Sequence, residues 1–245
     1  MRAIDKVRIS RNQNRKKSLD YINYIFTSFI EFHGDRLFAD DDTIISGIGR
    51  IVDIPVVVIA QQKDRNFGMP NPEGYRKCIR MVKFAEKFKL PIVSFVDTPG
   101  ARCGIEAEER GQSIAIANCI YEFSKVRVPT VSIILGEGGS GGALAISVTD
   151  EIWMLENSVY SILSPEAFSS ILWKEPNKKE KAAQLMRMTS EELYEDGFIE
   201  KVILEDGNEM NNVKTELIKF LEKNPVSSIE SILKKRKNKY RKVLG

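Results

Sequence analysis

One stretch restricts the fold more than any other. Thr130 to Thr149 reads TVSIILGEGGSGGALAISVT. Val131 to Leu135 is a β-branched and apolar run, the pattern of a buried strand. It meets Gly136-Glu137-Gly138-Gly139-Ser140-Gly141-Gly142, and a short apolar helix is expected from Ala143 to Ser147. Glycine lets backbone come close to other groups and adopt positive φ. The first N–H groups of a helix lack internal partners and carry the positive end of its dipole. Such a turn suits an anion, or an oxygen that becomes one during reaction.

Several readings of this turn stand side by side. Gly136, Gly138 and Gly141 match the dinucleotide fingerprint G-x-G-x-x-G, with Glu156 placed for a ribose. Against it, a strand at Glu151 to Leu155 follows too soon for an ordinary crossover helix. Gly138 to Gly142 match G-x-S-x-G, which would make Ser140 a nucleophile. That chemistry needs a histidine after the serine, and the single histidine, His33, precedes it. A P-loop fails because no Lys-Ser or Lys-Thr follows the glycines. A bare backbone oxyanion hole and a packing turn without ligand complete the set.

The length, 245 residues, suits one large α/β domain or a domain with appendages. Net charge is only +3, but basic residues crowd the ends: Arg2, Lys6, Arg8, Arg11, Arg15, Lys16 and Lys17 at one, Lys234 to Lys242 at the other. These predict two solvated, partly frayed helical ends. No interleaved aromatic pattern supports nucleic acid as a partner. Cys78, Cys103 and Cys119 form neither a metal motif nor a disulfide framework, which suits a reducing cytoplasm. No signal peptide or membrane-spanning run is expected.

Taken in order, residues 18 to 32 have helical spacing of apolar residues, with Ser18 as N-cap and Gly34 as a C-terminal stop. Ile44 to Val52 and Val56 to Ala60 read as a hairpin. Gln61 to Pro72 is a polar loop in which Lys63, Arg65 and Asn66 are candidates to meet phosphates. A helix over 73–89 leads to a strand over 90–96, ending in Asp97-Thr98-Pro99-Gly100-Ala101. In open α/β sheets ligands bind at such strand ends, so this turn and the glycine turn are expected to line one crevice. Glu106 to Ser124 reads as one helix with an acidic first turn. Strand Tyr160 to Leu163, helices 165–173 (N-cap Ser164) and 178–186, a short helix from Thr189, strand 199–204, and helices 211–223 and 227–243 follow.

Five blocks then occur in register: RNFGMPNPEGYRK (65–77), FVDTPGA (95–101), AEERGQSIAIA (107–117), GEGGSGGALAI (136–146) and SILSPEAFSSILWK (161–174). Together with the turn His33-Gly34-Asp35-Arg36, they make the chain similar to the alpha subunit of the carboxyltransferase component of bacterial acetyl-CoA carboxylase. The resemblance implies an α/β, crotonase-like (ClpP/crotonase) spiral of ββα units with helical extensions. It divides the chain into a helical arm (1–40), the carboxyltransferase domain (41–205) and a helical tail (206–245). It implies transfer of a carboxyl group from carboxybiotin, borne by a biotin carrier protein that biotin carboxylase charges, to acetyl-CoA. The product is malonyl-CoA, for fatty acid biosynthesis. It also implies a cytoplasmic α2β2 heterotetramer, with a beta subunit that carries the zinc and no metal in this chain.

Carried over residue by residue, the resemblance gives Gly141, Gly142 and Ala143 the backbone N–H donors for the ureido oxygen of biotin. Gly100, Ala101, Arg102, Gly138 and Gly139 would line the biotin side, and Lys63, Arg65 and Asn66 the substrate side. This chemistry asks for no side-chain nucleophile, so the absence of a nearby histidine agrees with it. Arg102 and Cys103 stand where relatives commonly carry an aromatic residue and a proline, and Gln61 where they commonly carry histidine. Two alternatives share the fold: a malonyl-thioester decarboxylase subunit, and a silent scaffold that only pairs with a beta-like chain.

Overall fold

Three β-branched runs form the middle of the molecule because each is apolar on both sides of the chain. The computed structural model describes residues 1–225 and 229–242. Helix α1 (Ala3–Ser10) and helix α2 (Ser18–Ile25) come first, then strands β1 (Ser28–Glu31), β2 (Ile44–Ile51) and β3 (Ile54–Gln61). Helix α3 (Pro72–Phe88) leads to β4 (Ile92–Thr98), and helices α4 (Ile105–Glu109) and α5 (Gln112–Lys125) to β5 (Thr130–Gly139). After the five-residue helix α6 (Ser140–Leu144) come β6 (Glu151–Leu155) and β7 (Val159–Ser161). Helices α7 (Pro165–Trp173), α8 (Lys179–Leu185) and α9 (Ser190–Glu195) precede β8 (Lys201–Ile203). Helices α10 (Glu209–Lys223) and α11 (Ile229–Lys242) complete the described chain.

Among the described residues the strands make one mixed sheet in the order β1-β2-β3-β4-β5-β6-β8, with β7 added to β5. The β1-β2-β3 edge is antiparallel and the rest is parallel. Strand alternation sends Val57, Ile59, Ile92, Val96 and Ile134 toward α3 and α5. It sends Val58, Phe95, Ile133 and Trp153 toward α2 and α10. From α10, Val213, Leu217, Phe220 and Leu221 fill this second layer. Helices thus cover both faces, as parallel sheets require.

The structure departs from the sequence expectations in five places. The helix expected over 18–32 stops at Ile25, because Ser28–Glu31 pairs antiparallel with β2; Gly34 (φ +75°) therefore turns the chain after a strand and stops no helix. The helix expected over 106–124 is two, broken at Gly111 with φ +83°. Gly136 to Gly139 are extended strand, with Gly138 paired to Thr98 on one side and Tyr160 on the other. The following helix starts at Ser140, three residues before the expected Ala143.

The basic ends are not simply solvated. Buried Lys6 bonds Glu191 and the Glu156 carbonyl, while Arg236, 1% exposed, pairs with Asp150 through two 2.8 Å contacts. Carboxylates waiting in the fold draw these cations inward, since a buried charge must be paired. Of the helix expected over 227–243, residues 227, 228 and 243 lie outside the described residues.

Candidate active site

The two strand ends meet at the centre of the sheet. A Cβ on Gly139 would lie 2.2 Å from the Pro99 carbonyl oxygen. A Cβ on Gly142 would lie 2.5 Å from Ala101 N and 2.7 Å from the Gly100 carbonyl carbon. Gly138 is held the same way against the Tyr160 ring, at 2.7 Å. These glycines let the 97–101 turn press onto the end of β5. Gly141 differs: its Cβ would touch only Ile116, at an ordinary 3.6 Å. Gly100, at φ +149°, has only the Gly139 carbonyl within reach, at 3.9 Å. Gly141, Gly100 and Ala101 are partly exposed, while Gly142 and Ala143 are buried. The N–H groups of Ser140, Gly141 and Gly142 have no partner within α6, whereas the Ala143 N–H makes the first intrahelical bond, to the Gly139 carbonyl.

The turn itself is braced from several elements. Thr98 Oγ1 accepts from Gly100 N–H at 3.0 Å and donates to the Gly100 carbonyl at 2.7 Å. Gln112 Nε2 on α5 donates to the carbonyls of Pro70 (2.9 Å) and Arg102 (2.7 Å), and Arg102 N–H donates to Pro70 at 3.0 Å. Gln61, with no exposed surface, donates from Nε2 to the Gly142 carbonyl at 2.8 Å and accepts from Asp97 N–H at 3.2 Å. The Tyr75 hydroxyl lies 3.0 Å from the Gly142 Cβ position.

Beneath the glycines is an ion-pair cluster. Glu137 accepts from Lys63 Nζ at 2.9 Å and Arg11 Nε at 2.7 Å. Asp97 lies 3.6 Å from Lys63 Nζ and accepts the Glu137 N–H at 3.1 Å. Burial pulls the Glu137 carboxyl up, but Lys63 and Arg11 outweigh it and hold it below the usual glutamate range. Burial wins at Asp97, whose carboxyl is pushed up despite Lys63. A cleft of about 470 Å³ opens between residues 10–17 and the 63–67 loop, with Asp97 in its lining.

Of the residues expected on the substrate side, Lys63 spends its ammonium on Glu137 and Asp97. Arg65 pairs with Asp42 at 3.3 Å, with both side chains largely exposed. Asn66 Oδ1 meets the Arg102 guanidinium at 3.5 Å, so a residue expected on the substrate side and one expected on the biotin side stand together. Asn66 and Phe67 both have positive φ, and the Phe67 ring is exposed. Ser140 has φ +54° at a strand-to-helix turn, as a nucleophile elbow would. His33, however, bonds Asp40 at 2.9 Å beyond the β1 edge of the sheet, while Ser140 follows central β5. Sequence reasoning missed Gln61, Tyr75 and Arg11; the Gln61-Gln62-Lys63 run at a strand end was the one available signal.

A family model described as acetyl co-enzyme A carboxylase carboxyltransferase-like matches residues 1–244. The chain belongs to this family. It is 48% identical over 254 residues to the acetyl-coenzyme A carboxylase carboxyl transferase subunit alpha of Clostridium acetobutylicum, covering 97% of this chain and 93% of that one. It is 51% identical over 255 residues to the carboxyl transferase subunits beta/alpha of Natranaerobius thermophilus, covering 98% of this chain. The chain spans 42% of that longer relative. A solved transcarboxylase 12S superposes with TM-score 0.77 at 18% identity, over 89% of this chain and 44% of that one. That likeness carries the fold alone, a mixed sheet covered by helices on both faces. The relatives bear carboxyl transferase names, so neither the decarboxylase nor the scaffold alternative gains support from them.

Proposed function

We propose that this chain is the alpha subunit of a biotin-dependent acetyl-CoA carboxyltransferase, and that the crevice between residues 100–102 and 138–143 takes carboxybiotin. The observation that carries the reading is the contact of the two turns. It leaves Gly100, Ala101 and Gly141 partly open beside the N–H groups of residues 140–142, which have no partner within α6. A flat ring with a carbonyl oxygen fits such a cradle, since no side chain stands on Gly100 or Gly141.

Carboxybiotin supplies the carboxyl group. The N–H groups of Gly141 and Gly142 would hold the ureido oxygen and offset negative charge on it, while the Ala143 N–H, expected among these donors, closes the first turn of α6 onto the Gly139 carbonyl. Each such donor is worth roughly 3 kcal/mol by analogy with other oxyanion holes. Gly138 and Gly139 keep the donors aimed by pinning β5 to the 97–101 turn. Arg102 and Asn66 form the rim, and Lys63, through Glu137 and Asp97, stiffens the floor. Arg65 and Asn66 face the acyl-CoA side. Acetyl-CoA and malonyl-CoA are the substrate and product. The beta subunit, which bears the zinc, supplies the remaining half of the site in an α2β2 assembly in the cytoplasm. Biotin carboxylase and the carrier protein are its working partners. Among the described residues no helix is long and apolar enough to cross a membrane. Exposed Ile162, Ile171, Leu172 and Leu185 give the chain apolar surface for a partner to cover.

The test is reconstitution. The chain is purified with and without the beta subunit from the same genome, and malonyl-CoA-dependent carboxylation of free biotin is assayed. Turnover is expected only with both chains; a complex that forms and stays silent toward malonyl-CoA overturns the reading.

A further inference from the structure

Gln61 ties the ends of β3 and β4 to helix α6 through one side-chain amide. It is the last residue of β3, and its own carbonyl accepts from Ser18 Oγ at 2.6 Å, so its backbone is anchored before its side chain acts. The Nε2 donor is committed to Gly142 (2.8 Å) and the Oε1 acceptor to Asp97 N–H (3.2 Å). The amide is therefore oriented by two bonds of opposite sense, one on β4 and one on α6.

The planarity of the peptide makes this matter. The Gly142 carbonyl and the Ala143 N–H belong to one rigid trans unit and point in opposite directions. A donor that fixes the oxygen also fixes the direction of the N–H. Electron density drawn onto that oxygen makes the Ala143 N–H a stronger donor to the Gly139 carbonyl, the first bond of α6, because hydrogen bonds in series polarise one another. A second, independent observation falls on the same place. Tyr75 has no exposed surface, and among the described residues its hydroxyl finds no hydrogen-bond partner, yet it lies 3.0 Å from the Gly142 Cβ position. A buried hydroxyl kept without a partner is costly in a well-packed core. Here it stands against Gly142, so that the residue is limited both by the Gln61 bond and by the Tyr75 hydroxyl.

We infer that Gln61 is a positioning residue for carboxyl transfer: by holding the Gly142 carbonyl it fixes the first turn of α6, so that the N–H groups of Gly141 and Gly142 serve the reacting oxygen. This rests on the reading of residues 141 and 142 as oxyanion donors. Structural mortar alone predicts a different result. Gln61→Met removes both side-chain bonds at nearly constant size, and Gln61→His returns one N–H donor.

In the chain assembled with its beta subunit, Gln61→Met is expected to lower kcat for malonyl-CoA-dependent biotin carboxylation about 10- to 100-fold, with KM for malonyl-CoA within about twofold. Gln61→His is expected to recover most of that loss. Amide hydrogen exchange over residues 140–146 reads the same orientation without turnover, and is expected to speed about tenfold in Gln61→Met while exchange in β6 is unchanged. If Gln61→Met does not fold, as judged by thermal unfolding, Gln61→Glu at pH 9 takes its place. Unchanged kcat, or unchanged exchange over 140–146, overturns the inference. A wild-type complex without turnover counts against the carboxyltransferase reading instead, and the exchange measurement still decides the role of Gln61.

Discussion

Gly141 and Gly142 are neighbours in sequence with unequal physical burdens. A methyl group on Gly142 enters the backbone of Gly100 and Ala101, at 2.7 and 2.5 Å, where no flexible side chain can yield. Overpacking of this kind costs about 1–3 kcal/mol. Gly142→Ala is expected to lower thermal stability by that amount and to remove turnover, whereas Gly141→Ala, meeting only Ile116 at 3.6 Å, is expected to keep wild-type stability. Unfolding curves for the two variants side by side decide it. Glu137 carries a pH-dependent burden. Its carboxyl is held low in the folded chain, so its contribution is complete above the unfolded glutamate value, about 4.3, and fades as pH falls through the lower folded value. Glu137→Gln leaves Lys63 and Arg11 facing a neutral amide. It is expected to cost roughly 3 kcal/mol at pH 7, and the gap to wild type is expected to narrow progressively as pH falls below about 4. Denaturant melts at pH 7 and at a series of pH values below about 4 measure the trend. The glycines were legible in the sequence as a site of close approach. Their burdens were not, because Pro99 and Ala101, which set them, come from another strand end.

Among the elements, α11 shows how far a charge run can mislead. Its basic residues read as a solvated helix, yet Arg236 is buried among the carbonyls of Phe123, Val126 and Val128 and paired with Asp150. Those carbonyls close α5 and lead into β5, so one guanidinium seals the start of the strand that ends at the site. Arg236→Met leaves Asp150 without its cation and is expected to cost about 3–5 kcal/mol. Limited trypsin digestion should then cut within α11 well before the rest of the chain; equal protection of the variant and wild type refutes the latch. The Arg236–Asp150 pair, 86 residues apart in the chain, left no local signal. Nor did β1, whose Phe29 and Ile30 also fit a helical period. What the sequence made legible was local chemistry: Ser164 accepts from Ala167 N–H at 3.1 Å with Pro165 at the first helical position, and the 44–61 hairpin pairs as expected.

At the scale of the whole molecule, the sheet gathers its site from strand ends and leaves it at a surface. Exposed apolar side chains such as Ile162, Leu172 and Leu185 offer surface for a partner to cover, in keeping with an enzyme expected to work only in company. The reconstitution described above should therefore show turnover appearing together with a larger particle in sedimentation, and not in the isolated chain. The fold class was legible because strand and helix periods alternate along the chain. The splitting of β5 between two partners was not: it pairs with β6 over its first half and β7 over its second, and glycine carries no periodicity with which to announce this.

The Arg236 contacts also have a bearing on how the chain is made. The Val128 carbonyl waits for a guanidinium 108 residues further on. At about 5–20 residues per second, a ribosome needs roughly 5–20 s to add that stretch. During that interval β4 and β5 can pair, but the groups where β5 begins stay open to water and to neighbouring nascent chains. The central strand of the sheet thus emerges well before the residue that seals it, which makes the synthesis of those 108 residues the period when a chaperone has most to protect.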